Sequence, residues 1–233
     1  PNNAFIVVVG DFSSGEILAK ITSAFGGIPR GDEPPKVKVA EPLQRGERRV
    51  VLKKEAELPF LLIYYHTPNL KDPDGFALDL LSVILAGGRS SRLYQDLVYQ
   101  KRIARGVEAD YGGLSVDPTV FSITAQVMPD KDPAEVERAL DSLITRMRSE
   151  PVSERELEKA KNQIEAGFVF GQDSIFGQAM RIGQYESAAG WRYLDSYLPG
   201  IRKVTTGDIL EVTKKYLDPD RRTVGILIPI KEK

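Results

Sequence analysis

The stretch Leu80–Tyr94, LLSVILAGGRSSRLY, establishes the pattern of the middle of this chain. Its first half is leucine-rich and continues an apolar helix that begins near Asp72-Pro73, where apolar residues start to recur at helical spacing. Gly87-Gly88 interrupts the helix, and the helical pattern resumes from Ser90 to Ile103. We therefore predict a buried helix that breaks at a glycine pair and continues after it.

The glycines, serines and arginines of residues 87–92 also invite comparison with a phosphate-binding loop. The segment lacks the Lys-Ser/Thr ending and the G-x-G-x-x-G spacing of such loops. It interrupts a helix instead of following a strand, so its amides are not gathered at a helix N-terminus. The favoured interpretation is a backbone break with exposed Ser and Arg side chains, and small-molecule binding at this loop is the alternative.

Six segments have the apolar pattern of strands, namely Phe5–Val9, Arg48–Lys54, Phe60–His66, Gly106–Tyr111, Thr119–Val127 and Thr223–Pro229. Helix starts are marked by Asp132-Pro133, by two capping boxes, Ser13 with Glu16 and Ser153 with Glu156, and by Thr205 with Asp208. The resulting order is β-α-β-β-α-β-β-α-α-α-α-β. Because strands come in adjacent pairs between helices, we predict an α+β fold with a mixed, mostly antiparallel sheet covered by helices, as one domain over residues 1–233.

Composition excludes several classes of protein. The net charge is -1, from 32 basic and 33 acidic residues, and this balance gives no electrostatic indication of binding to nucleic acid or to an anionic membrane. No apolar run is long enough to span a bilayer, and the absence of cysteine excludes disulfides, thiolate nucleophiles and Cys-ligated zinc. The start at Pro1, directly before an apolar run, leads us to expect a mature product or an expressed fragment of a larger protein.

His66 is the only histidine in the chain. Zinc sites need two or three His or Cys ligands, and a helical HExxH motif or its inverse needs two histidines on one face. His66 ends a predicted strand before Thr67-Pro68, so an ordinary hydrogen bond is the favoured role and a base in a catalytic triad is the alternative. We predict no metal ligand in this chain.

The remaining candidate groups are assigned to local structure. Capping and turn formation account for two pairs of acids, Asp72 with Asp74 and Asp218 with Asp220. Glu154, Glu156 and Glu158 are interpreted as a solvated face at a helix start, where the helix dipole favours acids. Three tyrosines and three arginines could form a stacking surface for nucleic acid, namely Tyr94, Tyr99, Tyr111, Arg92, Arg102 and Arg105. Neutral overall charge argues against that surface, and amphipathic packing accounts for the tyrosines. We therefore predict no catalytic or cofactor-binding residue.

In this order, the segments resemble the C-terminal domain of the peptidase M16 family, which includes pitrilysin, insulin-degrading enzyme and mitochondrial processing peptidase relatives. The resemblance covers essentially the whole chain and is strongest in Leu80–Tyr94. It also includes Pro1–Phe12, Phe25-Gly26, Gln44–Val50 and Val152–Lys161. The resemblance implies the LuxS/MPP-like metallohydrolase fold, within a protein of two similar α+β halves.

In the family, the N-terminal half carries the inverted HxxEH zinc motif and a distant Glu, and the C-terminal half closes over an extended peptide. The resemblance therefore implies that zinc belongs to the upstream domain and that this chain encloses substrate for a zinc metalloendopeptidase. The alternative is a non-catalytic M16-like scaffold or partner subunit that binds peptides or proteins. Family analogy also implies a bacterial periplasmic or membrane-associated location.

Many family members use an Arg and a later Tyr in the C-terminal half to hold the substrate and stabilise the oxyanion. The aligned positions, seven residues apart, are Val98 and Arg105, so the pair is missing here. Tyr99 and Arg102 lie nearby, but in the wrong order and spacing. In bacterial two-subunit relatives the zinc motif and the pair can lie on different subunits. The full-length chain would then need a homologous M16 subunit carrying the Arg/Tyr pair.

Overall fold

A computed structural model describes residues 2–35 and 41–230. Five strands form one sheet in the order β1-β5-β2-β4-β3; they are β1 (Arg48–Glu55), β2 (Phe60–Thr67), β3 (Ala104–Tyr111), β4 (Thr119–Val127) and β5 (Arg222–Ile230). β1 runs parallel to β5, and the other neighbouring strands are antiparallel. The predicted α+β fold with a mixed, mostly antiparallel sheet is confirmed.

The described α-helices are α1 (Ser14–Phe25), α2 (Asp74–Ala86), α3 (Pro133–Met147), α4 (Glu154–Phe170), α5 (Ile175–Ala188), α6 (Leu194–Lys203) and α7 (Thr206–Tyr216). A π-helical segment, Tyr94–Gln100, follows the glycine break. The capping boxes at Ser153 and Thr205 are formed, as predicted. Helix α6 was not predicted, because Pro199 in its interior is a residue that normally ends helices.

The core lies between the helices and one face of the sheet. Alternate residues of β2 and β4 are buried on that face, including Leu61, Ile63, Phe121 and Ile123. The apolar stripe of α2 packs with them into one continuous cluster. Burying each such side chain stabilises the fold by about 1.5–3 kcal/mol. The opposite residues of β2, such as Tyr64, are exposed, so helices cover one face of the sheet and leave the other open.

The glycine pair breaks the helix as predicted. α2 ends at Ala86, and Gly88 has φ of 110°, in the left-handed region that side chains rarely adopt. The chain then turns and re-enters helical structure at Arg92, before the π-helical segment. The break lets the second helical portion leave in a new direction, which a continuous α-helix would not allow.

The prediction of a strand at Phe5–Val9 is wrong for this structure. The segment has no strand partner among the described residues, and Phe5, Ile6 and Val8 are 51%, 52% and 44% exposed. A strand forms only where neighbouring backbone groups can pair with it. Helix α1 follows as predicted, but Ser13 makes no side-chain cap, and none of the residues of α1 is buried. Residues 2–35 thus lie outside the core cluster.

The predicted solvated linker, Pro29–Pro42, lies partly at residues 36–40, outside the described part of the chain. Its described portions, residues 29–35 and 41–42, are exposed. Two residues later, the side chain of Gln44 is buried and its Nε2 donates to the carbonyl oxygen of Arg222 at 2.7 Å. The compact part of the molecule therefore begins close to Gln44.

Candidate functional site

The open face of the sheet carries an apolar patch made by three neighbouring strands, β1, β5 and β2. We define the open-face patch as Val50 and Leu52 of β1, Phe60 and Leu62 of β2, and Leu227 of β5. The strand register brings these residues together, because Leu227 is paired with both Leu52 and Phe60. Val50 and Leu52 are 61% and 54% exposed. Contiguous exposed apolar side chains mark surfaces on which another protein segment packs.

The same strands place a free edge beside the patch. β1 is the edge strand next to β5, and no further strand pairs with it within residues 2–35 and 41–230. Edge strands present unpaired N–H and C=O groups, and an extended peptide can add to them as a new strand. All three strands of the patch were predicted from the sequence, but the patch itself was not. The signal was present in Val50-Val51-Leu52, which is apolar on both faces of its strand.

His66 lies on the open face, near the end of β2. Its Nδ1 is 3.7 Å from Oε2 of Glu41, so it contacts a carboxylate instead of making the ordinary hydrogen bond that we predicted. Among the described residues, no three His, Asp or Glu side chains are grouped closely enough to hold a metal ion. A zinc site takes three or four protein ligands. The residues around His66 therefore do not fit a zinc site.

Residues 87–92, which we call the glycine loop, are anchored to α4 by an ion pair. The guanidinium of Arg92 makes two hydrogen bonds to the Glu156 carboxylate, Nε to Oε1 at 2.7 Å and Nη2 to Oε2 at 3.0 Å. Arg92, together with the Ser153 cap, lowers the pKa of Glu156 to about 2. Exposure was predicted correctly for Arg89 and Ser90, but Ser91 is buried and Arg92 half-buried. The Ser-Arg motif thus has a structural role that depends on a residue 64 positions away.

The acids assigned to capping and turns lie where they were predicted. Asp72 accepts a hydrogen bond from the backbone N–H of Asp74 at 2.9 Å, and Asp218 accepts one from that of Asp220 at 3.0 Å. Asp74 also binds Lys215, at 2.6 Å, which joins α2 to α7. Burial alone would raise the pKa of Asp74, but the hydrogen bonds of its partners on α7 hold it below the usual value.

The positions aligned with the missing Arg/Tyr pair have different environments. Val98 packs against the core cluster, and Arg105 is exposed on β3. Tyr111 is buried and donates to the carbonyl oxygen of Pro68 at 2.8 Å, which confirms packing for this tyrosine. Packing does not account for Tyr99, which is 66% exposed. That part of the prediction is wrong, because the π-helical turn directs Tyr99 away from the core.

The model of the family described as the peptidase M16 inactive domain matches residues 1–164. The chain belongs to the peptidase M16 family. The zinc protease PqqE of Helicobacter pylori is 27% identical over 232 residues, which cover 98% of this chain and 52% of that protein. This M16 chain therefore spans about half the length of the curated relatives it matches. The family resemblance expected from the sequence is confirmed.

Two solved structures resemble this M16 domain. A protease from Helicobacter pylori superimposes with a TM-score of 0.89 at 26% identity, covering 95% of this chain and 54% of that one. The inactive peptidase domain of a zinc protease from Bordetella parapertussis has a TM-score of 0.70 at 25% identity. It matches 78% of this chain and is itself covered over 96% of its length. A smaller piece of this M16 fold has thus been solved on its own.

None of the described helices combines the length and the apolar character needed to cross a membrane.

Proposed function

We propose that this chain is the substrate-enclosing, non-metal-binding C-terminal domain of an M16 zinc metalloendopeptidase, whose full-length form hydrolyses peptide bonds. The main support for the proposal is the match to the M16 inactive domain. In such a protein the upstream half would bind zinc, which activates water for attack on the peptide bond. The residues described here do not fit a metal site, so their contribution would be to bind and enclose the peptide.

The open-face patch and the β1 edge supply the surfaces that such a role requires. The apolar side chains of Val50, Leu52 and Leu62 offer contacts to alternate residues of an extended peptide. The free backbone groups of β1 offer hydrogen bonds that do not depend on peptide sequence. A surface built this way binds extended chains with broad specificity, which suits a domain that encloses peptides.

The first partner that we propose is the upstream half of the same polypeptide. Phe5, Ile6 and Val8 are exposed, and α1 buries none of its apolar residues although Ile17 and Ile21 recur at helical spacing. Apolar side chains arranged like this are normally covered by another part of a protein. The upstream half would provide that cover and would offer a strand partner to Phe5–Val9.

The test compares three purified proteins: full-length protein, its upstream half, and this chain. Internally quenched peptides of mixed sequence report hydrolysis. We expect the full-length protein to cleave them, to lose activity with a zinc chelator and to recover it with added zinc, whereas this chain alone has no activity. A folded, zinc-loaded full-length protein without peptidase activity would contradict the proposal and favour the scaffold alternative.

The need for a second, homologous M16 subunit with the Arg/Tyr pair is tested in the same assay. We expect activity to rise when that subunit is added, because Val98 and Arg105 replace the pair in this chain. Full activity of the full-length protein alone would contradict this part of the proposal. A periplasmic or membrane-associated location remains a proposal from family analogy, and cell fractionation with an antibody to this chain tests it.

A further inference from the structure

Four aromatic rings line a small cavity on the helical side of the molecule. Phe76 of α2, Tyr185 of α5, Tyr197 of α6 and Tyr193, just before α6, form a closed circuit in which neighbouring ring centroids lie 6.3–6.5 Å apart. All four rings line a cavity of about 200 Å³. Rings at this spacing can surround one positive charge within the roughly 6 Å at which an aromatic face attracts a cation.

The carboxylate of Asp79 lies in the wall of the same cavity, one helical turn after Phe76. Its Oδ2 accepts a hydrogen bond from the Tyr197 hydroxyl at 3.0 Å. Within the described part of the chain, no other group donates to this carboxylate, and no Lys, Arg or His forms an ion pair with it. Burial, with a smaller contribution from Asp110, raises the pKa of Asp79 to about 7 although Tyr197 opposes the shift. The cavity thus contains a carboxylate without a countercharge.

The other polar groups around the cavity are hydroxyls, which can accept hydrogen bonds from a ligand that carries donors. The hydroxyls of Tyr111 and Tyr193 point to the carbonyl oxygens of Pro68 and Leu70. Tyr185 also lines the cavity, and its hydroxyl oxygen can accept a hydrogen bond. An ammonium group carries three donors and no acceptor. It would therefore complement both Asp79 and the aromatic rings.

The cavity also has a route to solvent. Leu114, which is 40% exposed, lines this cavity and a neighbouring one of about 460 Å³. Tyr185 and Tyr197 line both cavities and therefore lie between them. Gly200 allows α6 to approach the ring of Phe76, since a Cβ there would lie 2.5 Å from that ring. The aromatic wall is therefore closely packed on one side and open towards Leu114 on the other.

We infer that this cavity binds an alkylammonium group, with its charge placed between the four rings and against Asp79. An anion would be repelled by Asp79, and an apolar ligand would leave this half-buried carboxylate without a charged partner. A volume of about 200 Å³ is below the roughly 300 Å³ of pockets for drug-sized molecules, so the group must be small. Two sources have this chemistry: the side chain of a lysine in an extended peptide, and a small free amine. Neither zinc nor peptidase activity is needed for an ammonium group to bind in this cavity.

The test is an NMR titration of this chain with n-butylammonium chloride at pH 8, with n-butanol as the uncharged control at equal ionic strength. We expect saturable shifts at the amides of Gly75 and Gly113, which line the cavity, and none at Gly207, which does not. Absence of saturation up to about 100 mM, where even a millimolar ligand would saturate, would overturn the inference. Equal shifts with n-butanol would overturn it as well.

Two variants locate the binding site. Asp79→Asn keeps the shape of the side chain and removes its charge, and we expect at least a tenfold weaker affinity for n-butylammonium. Asp195→Asn, an exposed acid on α6, is the matched control and should leave the affinity unchanged. Tyr185→Leu removes one ring without touching the carboxylate, and should weaken binding several-fold even if Asp79→Asn fails to fold. Unchanged affinity in both Asp79→Asn and Tyr185→Leu would overturn the assignment of the site.

A second arm distinguishes the two sources of the ammonium group. A blocked alanine peptide with one central lysine is titrated beside the same peptide with norleucine in that position. Shifts at Gly75 and Gly113 with the lysine peptide, and none with the norleucine peptide, would support a peptide side chain as the ligand. Binding of n-butylammonium without binding of the lysine peptide would support a free amine and leave the ammonium chemistry in place.

Discussion

Arg92 and Glu156 form a bidentate ion pair, with Nε–Oε1 at 2.7 Å and Nη2–Oε2 at 3.0 Å, that joins the glycine loop to the start of α4. The same carboxylate caps α4 by accepting a hydrogen bond from the backbone N–H of Ser153 at 3.0 Å. One side chain therefore stabilises a helix end and a tertiary contact together. Two substitutions separate these contributions.

We expect Glu156→Gln to destabilise the fold by about 1 kcal/mol, because glutamine can still accept from Ser153 but loses the charge that Arg92 binds. Glu156→Ala should cost about 1–2 kcal/mol more, since the cap is then lost as well. Urea unfolding measures both values. The control is Glu158→Gln, an exposed acid on the same helix, with an expected effect below about 0.5 kcal/mol. Equal losses for Gln and Ala at residue 156 would show that the capping hydrogen bond contributes nothing.

Asp79 should make stability depend on pH in the opposite sense to most acids. Its pKa is raised from 3.8 to about 7 by burial. The folded protein therefore binds more protons than the unfolded one between these values, and stability falls as the pH rises through that window. Asp79→Asn lacks this titration, so its stability relative to the natural protein should rise by a few kcal/mol between pH 4 and pH 8.

Thermal unfolding of both proteins across this pH range checks the Asp79 prediction. Other acids, including Glu156 with its lowered pKa, titrate alike in both proteins and cancel in the comparison. Asp110 and the four tyrosines of the cavity are also common to both. A stability difference that does not change with pH would show that Asp79 titrates near its ordinary value.

Arg222 holds three acids together at the start of β5. It is 5% exposed, and its guanidinium binds Glu47 at 2.7 Å, Glu137 at 3.0 Å and, in addition, Asp141. Arg49 also binds Glu137, at 2.6 Å, so Arg222→Met would weaken the buried cluster without leaving this carboxylate unpaired. We expect a loss of about 1–3 kcal/mol in urea unfolding. Arg221→Met changes an exposed neighbour and should cost less than about 0.5 kcal/mol. Comparable losses in the two variants would contradict a specific role of the buried charge.

Removal of residues 1–40 should leave the fold intact. None of residues 2–35 belongs to the core cluster, whereas Gln44, which follows the cut, is bonded to Arg222. We expect the shortened chain to unfold within about 3 °C of the natural chain, a difference below about 1 kcal/mol. Leu61→Ala, a fully buried residue of β2, should by comparison cost about 2–5 kcal/mol. An unfolded shortened chain would show that the N-terminal segment stabilises the domain.

Local patterns in the sequence predicted most of the fold. The capping boxes at Ser153 and Thr205 and the glycine break at Gly88 depend on residues at most three or four positions apart, so contiguous sequence contains the whole interaction. The five described strands were also located correctly, since their alternation reflects one buried face. Phe5–Val9 has the same apolar character and forms no strand here, because a strand needs a partner as well as a pattern.

The candidate sites depended far more on tertiary structure. Val50 and Leu227 are apolar in the sequence, but only the strand order β1-β5-β2 joins them into one exposed patch. Asp79 was visible as a single acid within an apolar helix, and nothing near it in the chain indicates a cavity. Its ring of aromatic residues comes from three helices and the turn before the last of them.

By itself, the sequence determined the family, the α+β class, the helix starts at Ser153 and Thr205, and the lack of enough histidine and cysteine for a zinc site. Only the tertiary structure decided that Arg92 meets Glu156, that the sheet leaves one face open, and that Tyr185 and Tyr197 meet beside Asp79. The physical reason is the separation along the chain between the residues that interact. Capping and periodicity act between neighbours along the chain, whereas ion pairs, patches and cavities depend on how distant segments pack.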